Sequence, residues 1–249
     1  MILHKQDLST NYLALCNKLT NKFTNFLIII TLFTSIFAVQ VSAKEINIKE
    51  YGIVILPEDR CVKKAEISNI SIKKLFNNLK TVKNYWHVTL YHGAYEINDL
   101  SKIYNKLKEL QLRPFTLNFS KIYSTADRWI DLGVEKTIHL QNLHTSAVLL
   151  ASPYHKRPLA RSTDVYKDMT IDQREQVDSY GVSGILSSYN PHMTLYYQYP
   201  PNSELQQAAL EMESNAKINM VCKASRIVLG ELGYNGNVEK IIYSINIPD

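Results

Sequence analysis

The chain has 249 residues, of which 45% are hydrophobic and 20% charged, with 8 Gly and 8 Pro. That is ordinary globular composition and excludes a disordered chain or a collagen-like or repeat fibre. A net charge of +5 admits an anionic ligand but lacks the dense basic stripe that duplex DNA requires.

The chain opens with Lys5, Lys18 and Lys22, followed by an uncharged apolar run over residues 26–39 and the small-residue stretch Val41-Ser42-Ala43. This order of basic, apolar and small residues is that of a secretory signal. Residues 1–43 are therefore expected to be a signal peptide, and residues 44–249 a single exported domain, periplasmic or secreted. The run is shorter than the roughly 20 residues that span a membrane. An uncleaved amino-terminal anchor is the alternative and would be the chain's only tie to a membrane.

The hydrophobic pattern predicts a strand over 51–56 and a helix over 63–80 with Ile70, Leu75 and Leu79 inward. A β-branched and aromatic strand follows over 85–91. Next comes an amphipathic helix over 97–112, with Asn98 as N-cap and Leu100, Ile103, Tyr104, Leu107 and Leu110 as its apolar stripe, ended by Pro114. Strands are expected over 115–123 and in part of 129–138, then a helix over 140–154. The stretch 152–168 reads as a surface bridge. Beyond it, residues 170–188 are mostly helical and 191–199 form a strand. A helix over 202–215 turns Leu205, Ala208, Ala209 and Met212 inward. Strands over 225–232 and 238–247 close the chain through an Asn235-Gly236 hairpin turn.

Each half thus reads helix, strand, helix, strand, strand. The expected class is α+β: two pseudo-symmetric lobes, each an antiparallel sheet with outer helices, and a cleft between them. A doubly wound parallel sheet is the competing arrangement, and the closing hairpin favours the antiparallel one.

Two of the seven histidines are followed by the same trailer: His87-Val88-Thr89-Leu90-Tyr91 and His192-Met193-Thr194-Leu195-Tyr196. Both copies fall on a strand just before an amphipathic helix. Side chains alternate along a strand, so His87, Thr89 and Tyr91 are expected on one face, with Val88 and Leu90 in the core. His192, Thr194 and Tyr196 repeat this, and Tyr197 is expected on the core side. Two imidazoles across one cleft suit phosphodiester chemistry, one accepting a proton from the attacking oxygen and the other donating to the leaving oxygen. The threonine hydroxyls would hold phosphate oxygens. No metal or other cofactor is needed for this.

The paired H-x-T motifs, one preceded by Pro191, resemble the signature of the two-histidine (2H) phosphoesterase superfamily. That superfamily includes RNA 2',3'-cyclic phosphodiesterases (2'-5' RNA ligase-like proteins), cyclic nucleotide phosphodiesterases and 2',5'-oligoadenylate phosphodiesterases. The resemblance implies a bilobal antiparallel fold and a phosphodiesterase acting on RNA ends or nucleotides. It assigns His87, Thr89, His192 and Thr194 to catalysis, with His87 as acid and His192 as base, or the two swapped. Tyr91 takes the place of the phenylalanine usual after the first motif. An exported nucleotide-binding protein with the same cleft but no turnover is the alternative from another class. A monomer is expected.

Other residues divide between binding and packing. Tyr91 and Tyr196 suit either base stacking or strand packing. Trp129, beside Arg128, suits either packing or contact with a base or phosphate. Lys156, Arg157 and Arg161 form a basic patch on the bridge, as a solvated surface or an RNA-backbone contact. His139 and His144 lie five apart on a helix, on different faces, and His92 and His155 read as surface or locally hydrogen-bonded groups. Cys61 and Cys222 form either one disulfide or two buried thiols. Asn69 and Asn118 open Asn-x-Ser sites. No serine-hydrolase, P-loop, zincin or zinc-ribbon pattern is present.

Overall fold

The computed structural model describes residues 47–76, 85–198, 200–216 and 219–249; the expected signal or anchor segment, and Leu79, lie outside them. Among the described residues, seven strands run in chain order: β1 Ile48–Pro57, β2 Val88–Glu96, β3 Thr116–Thr125, β4 Trp129–Val134, β5 His192–Tyr197, β6 Met220–Leu232 and β7 Val238–Asn246. The helices are α1 Asp59–Leu75, α2 Leu100–Lys108, α3 Ile138–Ala151, α4 Ala160–Asp164, α5 Ile171–Tyr180 and α6 Glu204–Ala216.

Every strand pairing is antiparallel, in the order β2-β1-β6-β3-β4-β5 with β7 also along β6. Strand β6 is long enough to serve two groups. Its first residues pair with β3, and its remainder pairs with β1 and β7. The two lobes are therefore β2-β1-β6-β7 and β6-β3-β4-β5. They are not the two halves of the sequence. The first lobe takes its motif strand β2 from one half and its hairpin β6–β7 from the other, and the second combines β3–β4 with β5. The terminal strands β2 and β5 come into contact with each other.

Helix α3 packs on β2, α1 on β5, and α6 on β3 and β4. Ile53 and Ile55 join the main core, whereas Val54 and Leu56 turn to the opposite face and cluster with Val228, Leu232 and Val238. That is the alternation of a sheet buried on both sides. Helix α2 buries Leu100, Ile103 and Leu107 at helical spacing. Its N-cap is Asp99, not Asn98, because Ile97–Asp99 forms a 3-10 turn ahead of it. Helix α6 buries Leu205, Ala208 and Ala209 as expected, with Met212 partly buried.

Helix α1 is rotated relative to expectation. Ile70 and Leu75 are 53% and 62% exposed, while Cys61, Ala65 and Ile72 are buried. Cys61 is bonded to Cys222 of β6, across 161 residues of sequence. Ile70 lies two and a half turns on from this anchor, so it must face away. One disulfide, not two thiols, is the state of the pair. The bridge also differs from a plain surface strap, since Leu159 and Ser162 are buried.

Candidate active site

Strands β2 and β5 carry the two H-x-T motifs, and both are irregular at the same place. Between β1 and β2, Ile53 pairs with Tyr91 and Val54 with Thr89, so Leu90 is an extra residue. Between β4 and β5, Ile130 pairs with Tyr196 and Asp131 with Thr194, so Leu195 is extra. These are β-bulges, and each resets the alternation of its strand. The face expected to run His-Thr-Tyr therefore breaks after Thr. Tyr91 and Tyr196 turn inward, 1% and 3% exposed. The Tyr91 hydroxyl donates to the Tyr180 carbonyl, and the Tyr196 ring stacks on Phe76 at 5.5 Å. Both rings are thus packed into the core, and both also border the cavity described below. His92 and Tyr197 take the places on the site face instead.

A bulge leaves ladder carbonyls to be satisfied elsewhere. The Leu90 carbonyl accepts from His144 Nδ1 of α3 at 2.6 Å, and the Leu195 carbonyl accepts from Asn69 Nδ2 of α1 at 2.6 Å. The Thr89 carbonyl accepts from the Tyr189 hydroxyl at 2.8 Å. The Tyr189 ring stacks on His144, and the Leu186 N–H donates to the other His144 nitrogen. Burial holds His144 below the ordinary histidine range, which keeps it neutral for this bridging role. Asn69 Nδ2, the atom a glycan would modify, is thus committed to the fold.

The motif side chains line one cavity of about 640 Å³, with His87, Thr89, His92, Trp129, Asp131, Arg161, His192, Thr194 and Tyr197 on its walls. The two histidines are held alike. His87 Nδ1 donates to the Tyr85 carbonyl at 2.6 Å, and His192 Nδ1 donates to the Asn190 carbonyl at 2.8 Å. A carbonyl only accepts, so Nδ1 carries the hydrogen in both rings and Nε2 is the nitrogen left for chemistry.

The surroundings then diverge. His87 is pushed down to about 4, by burial first and then by the neighbouring His192 and Arg161. His192 is more open, its side chain 40% exposed, with Nε2 4.0 Å from Asp131 Oδ1. Asp131 is buried on β4 directly opposite Thr194. It accepts from Thr194 Oγ1 at 2.7 Å and from Thr125 Oγ1 at 2.8 Å. Thr89 Oγ1 has a different partner, His92 Nε2 at 3.1 Å, and His92 Nδ1 meets an Arg161 Nη2 hydrogen. Arg161 can only donate, so His92 Nδ1 accepts and its Nε2–H donates to Thr89. Burial and the Arg161 charge keep His92 well below the usual histidine range, in agreement with a neutral ring. The Thr89 hydroxyl is thereby left free to donate, whereas the Thr194 proton is spent on Asp131.

Of the other residues singled out in the sequence, Trp129 lies on the cavity wall, its ring 5.8 Å from that of Tyr197. Arg128 stands in the β3–β4 turn, its carbonyl accepting from the Gln198 N–H. Of the basic patch, Arg161 reaches the cavity, while Lys156 pairs with Glu96 and Asp99, and Arg157 with Glu50. Among the described residues, no cluster of three or more His, Cys, Asp or Glu is arranged to hold a metal, and no helix is long and apolar enough to cross a membrane.

No family model and no curated protein matches the sequence. Solved structures do. TT0787 of Thermus thermophilus superposes with a TM-score of 0.53 at 12% identity, over 80% of this chain and 97% of that one. The chain has the two-histidine phosphoesterase fold. E. coli LigT in complex with NADP+ aligns at a TM-score of 0.47 and 13% identity, over 81% of this chain and 99% of that one. Usb1 of Kluyveromyces marxianus with uridine monophosphate gives 0.40 and 9%, over 80% and 98%. The sequence does not single out Asp131, His92, His144, Asn69 or Tyr197 as lining the cavity, where all five are found. A signal existed for His92, which directly follows the first motif. The others reach the site only through strand pairing or helix docking.

Proposed function

We propose that this chain is an exported, metal-independent phosphodiesterase of the two-histidine type. Its substrate class is the 2',3'-cyclic phosphate end of RNA, a cyclic nucleotide or a 2',5'-linked oligonucleotide. The observation that carries the reading is the matched pair of imidazoles on one cavity, each with Nδ1 tied to the carbonyl two residues earlier and Nε2 left for proton transfer. Export is supported by the Cys61–Cys222 disulfide, a bond of oxidising compartments.

The environments favour His87 as base and His192 as acid, the swapped form of the assignment that the family resemblance puts first. Burial keeps the His87 ring neutral, which is the form a general base needs. A ring beside a buried carboxylate has a countercharge for its protonated form. In the step, His87 Nε2 takes a proton from water as the water oxygen bonds to phosphorus. The bond from phosphorus to the 2' or 3' oxygen breaks, and His192 Nε2–H protonates that oxygen. Thr89 donates to a non-bridging oxygen as charge builds there. Solvent then returns His87 to neutral and His192 to its charged form.

The direct test is incubation of the purified chain with 2',3'-cyclic AMP in EDTA. Turnover that persists in the chelator is expected. Tight binding without any turnover would instead support the nucleotide-binding alternative. The pH dependence is a further expectation. His87 loses its function as base only when protonated, so the acid limb of the kcat/KM profile should lie near pH 4. An acid limb near 6.5 would contradict the base assignment. Stability shifts in the same direction. His87 and His92 both have depressed folded values, so below about pH 6.5 the unfolded chain binds more protons and the fold weakens as pH drops toward 4. A circular dichroism melt at each pH separates that loss from the loss of chemistry.

A further inference from the structure

His87, Thr89, His192 and Thr194 carry the proposed chemistry. The same cavity is also lined by Arg161 from α4 and by Asn235, Gly236 and Asn237 from the β6–β7 turn. Two buried polar atoms there have no hydrogen-bond partner among the described residues: Arg161 Nη1, a donor, and Asn235 Oδ1, an acceptor. Gly236 has φ of +80°, and a Cβ there would lie 3.3 Å from Arg161 Nη1. The turn thus comes down against the guanidinium with only a hydrogen between them. Carboxylates near Arg161 are otherwise engaged. Glu50 accepts from Ala160 N and Arg157, and Asp164 accepts from the Tyr234 hydroxyl. The guanidinium is connected to Thr89 by a single imidazole, through the bonds Arg161–His92–Thr89.

A part-buried guanidinium with an unspent N–H is a binding group for a phosphate oxygen. An unpaired amide oxygen beside it in the same wall suits a ribose hydroxyl. We propose that Arg161 and Asn235 form a subsite for a second phosphate and its ribose, so that the preferred ligand is a nucleotide bearing two phosphates one sugar apart. This rests on the phosphodiesterase reading for the placement of the first phosphate between the histidines. The second phosphate is either a terminal 5'-phosphate or the next diester of an RNA strand. Either source makes the bare nucleoside cyclic phosphate a poorer ligand.

The test is calorimetric titration of the full chain with adenosine 3'-monophosphate, adenosine 3',5'-bisphosphate and the dinucleotide ApAp. The wild type is expected to bind at least one of the two longer ligands about tenfold more tightly than the monophosphate. A gain confined to the bisphosphate identifies a terminal phosphate, and a gain confined to ApAp identifies the strand diester. In Arg161→Gln that gain should fall to within about twofold, and Arg161→Lys should restore part of it. No gain for either ligand in the wild type, or a gain that survives Arg161→Gln, overturns the subsite. The wild-type comparison stands even if a variant fails to fold. Binding does not require turnover. A chain with the Arg161-dependent gain but no hydrolysis of 2',3'-cyclic AMP keeps the subsite and loses the phosphodiesterase reading, and the opposite pattern loses only the subsite.

Discussion

His87→Ala and His192→Ala should each lower kcat on 2',3'-cyclic AMP by about 10²–10⁴, the usual worth of a general acid or base. The double variant should be little worse than the poorer single one, because groups that act in one step are not additive. The way the rings are held suits chemistry more than architecture. Each contributes one hydrogen bond to the fold, through Nδ1, and leaves Nε2 to the cavity. An asparagine carries its amide N–H near the position of Nδ1 but has nothing at Nε2. His87→Asn should therefore melt close to the wild type while staying as inactive as His87→Ala. If activity returned with the asparagine, or if both alanine variants lost stability and not rate, the rings would be structural. Steady-state kinetics beside thermal melts decide this.

Loss of the Cys61–Cys222 bond should be the largest single change in stability. It ties the first turn of α1 to β6 and closes a loop of 161 residues. Chain entropy alone puts such a closure on the order of 4–5 kcal/mol. Removing a disulfide also frees two sulfurs in a fully buried site, where serine hydroxyls would lack partners. Cys61→Ala with Cys222→Ala is the cleaner pair. Its unfolding midpoint in urea should fall with the slope little changed, and dithiothreitol should shift the wild type by a similar amount and leave the variant unmoved. Activity should follow the fold, since α1 also supplies Asn69 to the Leu195 carbonyl in the second motif strand. An unchanged midpoint would mean that residual structure already confines the unfolded chain, and would remove the entropic account of the bond.

The duplicated H-x-T-L-Y run was legible because it is local. Its residue types, its strand propensity and its place before an amphipathic helix need only neighbouring positions to be read. The same holds for the α2 and α6 stripes and for the hairpin at Asn235-Gly236. Two expectations failed for a common reason. Strand alternation put Tyr91 and Tyr196 on the site face, and helical spacing put Ile70 and Leu75 inward; a partner element reset each of them. The extra residues Leu90 and Leu195 exist only relative to β1 and β4, and the rotation of α1 is fixed by a bond to β6.

Sequence alone was enough to place the two H-x-T motifs on strands and to give the antiparallel α+β class and the element order, since each follows from periodicity and short motifs. Tertiary structure decided that the lobes exchange strands between the two halves and that Asp131 and His92 give the two threonines different partners. It also brought Arg161 into the cavity from a segment that reads as surface. These depend on which strand lies beside which, and pairing energy comes from contacts between residues far apart in the chain, which no local pattern encodes.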